Sequence, residues 1–283
     1  MNIDCESVSK KIADELINKL RYTQREKYVV GMSGGIDSSL SATLAVNSVG
    51  SHNVVGIVMP YKTSSNECMR DAVKFAEHLK IQHHVIEITD IVSAFTQISH
   101  IADVQDCNDI QYKTRIGNIM ARIRMSILYD FSNKLKGLVL GTGNKTEYLL
   151  GYTTLWGDMC CDINPLGELY KTHVIQIAKF LGLPESIINR APSADLWPGQ
   201  TDEGEIGISY ERCDKLLELG YDYCLPNNII REFGFSQDEI DKVGNRINMS
   251  VHKRDLFDVV YPFDVNCNNE NSCIVAERAN DWN

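Results

Sequence analysis

The stretch Ser33-Gly34-Gly35-Ile36-Asp37-Ser38-Ser39 follows directly on Tyr28-Val29-Val30-Gly31-Met32, an apolar run of strand composition, and leads into Leu40, Leu44 and Ala45 at helical spacing. Two adjacent glycines at a strand-to-helix turn let backbone N–H groups approach an anion with no Cβ in the way. The serine hydroxyls and the helix N-terminus add further donors. This pattern reads as a phosphate cradle. It differs from the lysine-bearing loop G-x-x-x-x-G-K-S/T, because no lysine follows the glycines. Asp37 stands there instead. A carboxylate beside phosphates is repulsive unless a divalent cation lies between them, so Asp37 is a candidate magnesium ligand. The plainer alternative is an ordinary strand-to-helix turn with an Asp near the helix start.

The same alternation continues along the chain. Val8, Ile12, Leu16 and Leu20 mark an opening helix that reads as packing alone. Residues 53–59 form a second buried strand ended by Pro60, residues 65–79 a helix, and residues 84–88 a third strand; residues 89–110 have only a short apolar pattern. The fourth strand, residues 137–140, runs into Gly141-Thr142-Gly143-Asn144-Lys145-Thr146-Glu147. Such alternation predicts an α/β fold with a doubly wound, mostly parallel sheet and helices on both faces. In that topology the fourth strand lies beside the first and ligands bind between their C-terminal ends. The Asp37 loop and the Glu147 loop are therefore expected to face one site, where two carboxylates and phosphate oxygens could complete a magnesium shell. A solvated glutamate early in a helix is the alternative for Glu147.

Composition narrows the classes. With 283 residues, one domain over residues 1–264 is expected, followed by a polar, asparagine-rich tail at 265–283 with no assigned structure. A formal net charge of −10 argues against a nucleic-acid partner, and it means that an anionic substrate needs a local cationic site. Nine cysteines without a C-x-x-C pair suit a reducing interior. No signal-like stretch opens the chain, and no run approaches the ~18 apolar residues of a membrane span. The expectation is a soluble, cytoplasmic protein.

Beyond the first half, residues 109–135 carry the longest helical pattern. Ile116, Ile119, Met120, Ile123, Ile127 and Leu128 give it a broad apolar face that either spans the domain or meets a partner subunit. Arg122 and Arg124, two positions apart, cannot share a face. Residues 151–174 are rich in Gly, aromatic and acidic residues and have no clean period, the mark of a functional irregular segment. Asp158 and Asp162 flank Cys160 and Cys161, and Lys171 opens the next helix. A lysine at a helix N-terminus opposes the helix dipole, so it reads as the partner of a bound anion, with a solvated surface lysine as the alternative. Residues 190–208 read as a lid able to cover a nucleotide. His252-Lys253-Arg254 is a compact cationic cluster, either an anion site or a solvated helix end.

Together SGGIDSS, GTGNKTE, the WGD-x-x-x-D-I-N-P-L segment with its following lysine, PSADLWPGQTDE and HKR resemble the bacterial ammonia-dependent NAD synthetases, from about the heptad to Arg254. The resemblance implies a Rossmann-like fold of the adenine nucleotide α-hydrolase kind. It also implies adenylation of the nicotinate carboxylate of deamido-NAD by ATP, followed by displacement of AMP by ammonia, with Mg2+ as the metal and a homodimer as the assembly. It assigns ATP binding to Gly31, Met32, Ser33, Gly34, Gly35, Ile36, Asp37, Ser38, Thr142, Lys171 and Ser193. Magnesium falls to Asp37 and Glu147, and the dinucleotide to Arg122, Leu155, Asp162, His252 and Lys253. Lys171 would stabilise charge at the phosphorus and Asp158 would assist ammonia. Two positions depart from the pattern: Leu155 stands where relatives often carry lysine, and Ser193 where threonine is common. About thirty residues precede the heptad, too few for the amidohydrolase domain of glutamine-using relatives, so free ammonia is the expected nitrogen source.

Two rivals remain at this stage. Other adenylating enzymes, including those acting on tRNA, share the heptad; the latter call for basic surface or paired catalytic cysteines, and neither is present. A non-catalytic nucleotide-binding regulator would be expected to lose one of Asp37, Glu147 and Lys171, and all three are here.

Overall fold

The computed structural model describes residues 2–99, 110–191 and 202–254. Its centre is a parallel sheet of four strands, β1 (Lys27–Gly31), β2 (Val54–Val58), β3 (Gln82–Val85) and β4 (Gly137–Leu140), in the order β3-β2-β1-β4. The chain thus winds outward from β1 through β2 to β3 and then returns to place β4 on the other side of β1. Val30 is level with Leu140, so the loops leaving β1 and β4 emerge side by side. This is the switch point at which doubly wound sheets bind ligands.

Side chains alternate across the sheet. Tyr28, Val30, Val54, Val58, Leu138 and Leu140 face a core shared with α1 (Cys5–Thr23), α2 (Ile36–Val49), α3 (Asn66–His78) and α7 (Lys171–Phe180). Val29, Val55 and Ile57 face the opposite core, covered by α4 (Thr89–Ile98) and α5 (Ile110–Lys134). A third cluster joins α6 (Lys145–Leu150), α10 (Tyr210–Leu217), α11 (Asn227–Glu232) and α12 (Gln237–Met249), and α10 packs on both α6 and α7. Two short helices, α8 (Glu185–Ile188) and α9 (Asp202–Ile206), flank the residues outside the description, and α13 (Val251–Arg254) closes the described chain.

Several elements depart from the sequence reading. The third strand lies two to three residues earlier than expected, at Gln82–Val85; beyond it Ile86 and Ile88 still donate to Val58 and Pro60 carbonyls, which explains the extended apolar signal. The unclear stretch after it contains α4. The apolar face of α5 is spent largely within the chain: Ile116, Ile119 and Met120 are buried against the sheet, and Ile123, Ile127 and Leu128 pack beside them. The 265–283 tail and most of the 190–208 segment lie outside the described residues.

Candidate functional site

β1 ends at Gly31, and Met32 still donates to the Ile57 carbonyl before the chain leaves the sheet. Gly34 then takes φ +83°, and a Cβ there would lie 2.4 Å from the Cys68 carbonyl oxygen at the start of α3. Glycine is therefore required twice over, by conformation and by space. Ser33 and Ser38 Oγ atoms are 3.0 Å apart, the Gly35 N–H donates to Ser33 Oγ, and Ser38 Oγ donates to the Gly35 carbonyl. Gly35 caps α2 without a side-chain hydrogen bond. The first turn of that helix thus offers N–H donors to an anion.

Across the switch point, Asn144 caps α6 and completes a capping box. Its Oδ1 accepts from the Glu147 N–H at 3.0 Å, and Glu147 Oε2 accepts from the Asn144 N–H at 3.2 Å. The Asn144 amide reaches farther, donating to Asp37 Oδ1 at 3.0 Å. Lys171, first residue of α7, donates to Asp37 Oδ2 at 2.5 Å and lies 3.7 Å from Glu147 Oε1. Two loops more than a hundred residues apart in the chain are joined through one ammonium and one amide.

This cluster is shielded from water. Lys171 is 2 % exposed and Asn144 fully buried. Burial works against the Lys171 charge, but Asp37 and Glu147 more than offset it and hold its pKa above the ordinary lysine value. The Tyr210 ring, 5.5 Å from the ammonium, adds a cation–π contact. Glu147 is pushed the other way: burial and the Asp37 charge raise its carboxyl above the usual range, against the pull of Lys171.

A second group of contacts gathers on residues 151–158. Arg122 on α5 donates through Nε and Nη2 to the Leu155 carbonyl, each at 3.2 Å. Lys253 on α13 donates to the Gly151 and Thr153 carbonyls at 2.7 and 2.6 Å. Asp158, exposed, accepts from the Thr154 N–H at 2.6 Å. Trp156 adopts φ 59°, unfavourable for a bulky residue, and stays 42 % exposed. Both cations donate to neutral carbonyl oxygens, which orient them, and Lys253 also feels the Asp158 carboxylate. Arg254 turns away to the Leu149 and Ile247 carbonyls, and His252 is exposed.

The NAD synthase family model matches residues 8–257. The chain belongs to the NAD synthase family. It is 41% identical to the NH(3)-dependent NAD(+) synthetase of Fusobacterium nucleatum over 252 residues, 87% of this chain and 93% of that protein. Identity to the NH(3)-dependent NAD(+) synthetase of Methanopyrus kandleri is 42% over 261 residues, 90% of each chain. Among solved structures, the NMN synthetase of Francisella tularensis superposes with a TM-score of 0.79 at 30% identity, covering 93% of this chain and all of that one. The NH3-dependent NAD synthetase of Campylobacter jejuni, in complex with the nitrate ion, gives 0.75 at 31% identity over 92% of this chain and all of that one.

Set against the pattern of this synthetase family, the expected residues fall into distinct places. Gly31 through Ser38, Glu147 and Lys171 converge at the switch point, and Thr142 sits half-buried in the turn between β4 and α6. Arg122, Leu155, Asp158 and Lys253 meet on the 151–158 segment. Asp162 lies elsewhere, at the edge of β4, where its Oδ2 accepts from the Val139 N–H at 2.7 Å and its own N–H bonds the Val139 carbonyl. Ser193 lies outside the described residues. Cys161, left without a role by the sequence, packs against Gly141, where a Cβ would meet its sulfur at 2.7 Å.

Two site residues escaped the sequence reading. Asn144 was legible in principle, because N-x-x-E ahead of an apolar run is a capping-box pattern. Arg190 carried no local signal; it donates to the Gly34 carbonyl at 2.7 Å and pairs with Asp71 of α3, tying that helix to the anion loop.

Proposed function

We propose that this site amidates the nicotinate carboxylate of deamido-NAD with ammonia, consuming ATP and releasing AMP and pyrophosphate. The observation that carries the reading is the convergence of Asp37, Glu147 and Lys171 beside an uncapped helix start, in a chain closely similar to ammonia-dependent synthetases.

In the first step a carboxylate oxygen attacks the α-phosphorus and the bond to the β-phosphate oxygen breaks, giving an acyl adenylate and pyrophosphate. The heptad N–H groups and serine hydroxyls hold the leaving pyrophosphate, and Lys171 supplies positive charge to the phosphoryl oxygens. In the second step ammonia attacks the acyl carbon, the tetrahedral adduct loses a proton, and AMP departs with the electron pair of its bond. Asp158, an exposed carboxylate, would accept a proton from ammonium before that attack. Arg122, Leu155, Asp162, His252 and Lys253 would hold the dinucleotide, and Thr142 and Ser193 the ATP.

The donor set suits magnesium. Asp37 and Glu147 offer hard oxygen ligands, and among the described residues no cluster of three metal-binding side chains competes, leaving the remaining positions to water and phosphate. Bound there, the ion would neutralise charge on the pyrophosphate.

A homodimer fits the surface: Ile91, Phe95 and Ile98 of α4 and Ile110 opening α5 are all exposed, with Ile98 at 80 %. Reduced cysteines, all free among the described residues, fit the cytoplasm. No helix among the described residues is long and apolar enough to cross a membrane.

The test incubates the protein with ATP, magnesium, ammonium and deamido-NAD, and in parallel with nicotinate mononucleotide. Equimolar AMP and NAD from the dinucleotide are expected. Amidation of the mononucleotide alone would move the acceptor to the class named for the Francisella enzyme. ADP, or AMP formed without any pyridine acceptor, would remove the reading.

A further inference from the structure

The helix that carries Lys171 has no cap of its own. Tyr170 occupies its N-cap position but makes no side-chain hydrogen bond to the helix start, its hydroxyl donating instead to Asp222. The first two N–H groups of α7 are satisfied from other helices: Lys171 N–H donates to the Thr146 hydroxyl at 3.0 Å, and Thr172 N–H donates to Asp214 Oδ2 at 2.8 Å. Thr146 Oγ1 in turn donates to Asp214 Oδ1 at 2.5 Å. Because the Thr146 oxygen receives the Lys171 N–H, its proton is directed at the carboxylate, and the three bonds form one closed relay.

The relay is dry and well placed. Asp214 and Thr146 are both fully buried. Thr146 is the immediate neighbour of Glu147 on α6, while Asp214 comes from α10 in the third core cluster. A lysine in the first turn of a helix is repelled by the helix dipole. Asp214 places a negative charge at that end, facing Lys171, Thr146 and Thr172.

We propose that Asp214 and Thr146 are positioning residues for the adenylation step, locking the start of α7 to the Glu147 turn so that the Lys171 ammonium stays in register with Asp37 and Glu147. The inference rests on the synthetase reading of that site. Neither residue touches the reacting atoms. They act through backbone N–H groups, and a displacement of about 1 Å at a group of this kind costs about a hundredfold in rate.

The deciding comparison is Thr146→Val, which keeps the shape and deletes the hydroxyl, with Thr146→Ser, which keeps the hydroxyl. In steady-state assays with ATP, magnesium, deamido-NAD and ammonium, Thr146→Val is expected to lose about 10–100-fold in kcat. Its KM values should stay within about threefold, since ground-state contacts remain. Its melting temperature should fall by no more than about 4 °C. Thr146→Ser is expected to restore kcat. Asp214→Asn, which turns one acceptor into a donor facing either Thr172 N–H or the Thr146 hydroxyl, should behave like Thr146→Val. The proposal is overturned if Thr146→Val turns over like the wild type, if Thr146→Ser is as slow as Thr146→Val, or if kcat falls only in step with loss of folded protein. Should Asp214→Asn fail to fold, the Thr146 pair still decides. An inactive wild type would instead overturn the synthetase reading itself.

Discussion

Lys171→Met preserves most of the side-chain volume and deletes its charge. The ammonium lies 2.5 Å from Asp37 Oδ2 and 3.7 Å from Glu147 Oε1, so its loss leaves two carboxylates facing each other. Breaking a buried ion pair costs about 3–5 kcal/mol. Asp37 keeps the Asn144 amide, and Glu147, already biased toward its neutral form, takes up a proton; the expected loss therefore sits at the lower end, about 3 kcal/mol. A dication feels the opposite effect. At about 4 Å and an effective dielectric constant of about 20, one unit charge acting on another is worth about 4 kcal/mol, so the substitution removes a repulsion of at least that size. If solvent leaves a third of it, magnesium affinity rises about tenfold. The assay is thermal melting in a mildly alkaline buffer, with chelator and then with increasing magnesium, without nucleotide. The variant should melt below the wild type in chelator, gain more from magnesium, and form no NAD. If it melts like the wild type in chelator, or gains no more from magnesium, the two carboxylates do not share a cation site and the reasoning fails.

Asp37→Ala and Glu147→Ala should each abolish NAD formation while leaving the far-UV circular dichroism native; near-normal turnover in either would remove that residue from the metal site. Because burial and Asp37 raise the Glu147 carboxyl and a metal requires its carboxylate form, binding of magnesium with ATP should release protons, and apparent affinity should fall as pH drops through the folded pKa. Calorimetry in buffers of different ionisation heat reads the sign, and proton uptake would contradict it. Arg190→Ala leaves the Gly34 carbonyl and Asp71 without their shared donor, a loss of about 1–2 kcal/mol. It should raise the KM for ATP more than it lowers kcat, and an unchanged KM would show that the loop does not depend on this contact.

What the sequence disclosed follows from how local each signal is. The heptad and the GTGNKTE turn were readable because glycine, strand composition and helix caps act within a few residues, and the sheet order then brings the loops together. The bounds of β3 were misread because Ile86 and Ile88 continue the hydrogen bonding past the strand itself. The broad face of α5 left domain packing and subunit contact both open, because periodicity records an apolar stripe but not what covers it; the sheet covers most of it. Arg190, Asp214 and the turn of Lys253 onto backbone carbonyls were invisible, since their partners lie some 42 to 156 residues away and no spacing rule links them.

Arg122 and Lys253 grip the same short stretch of main chain from opposite helices. Each has donors beyond the ones spent there, since a guanidinium carries five N–H groups and an ammonium three, so an anion could recruit either side chain while it still holds residues 151–158. A pull on either cation is thereby passed to the main chain beside Asp158, and two helices far apart in sequence share one mechanical anchor.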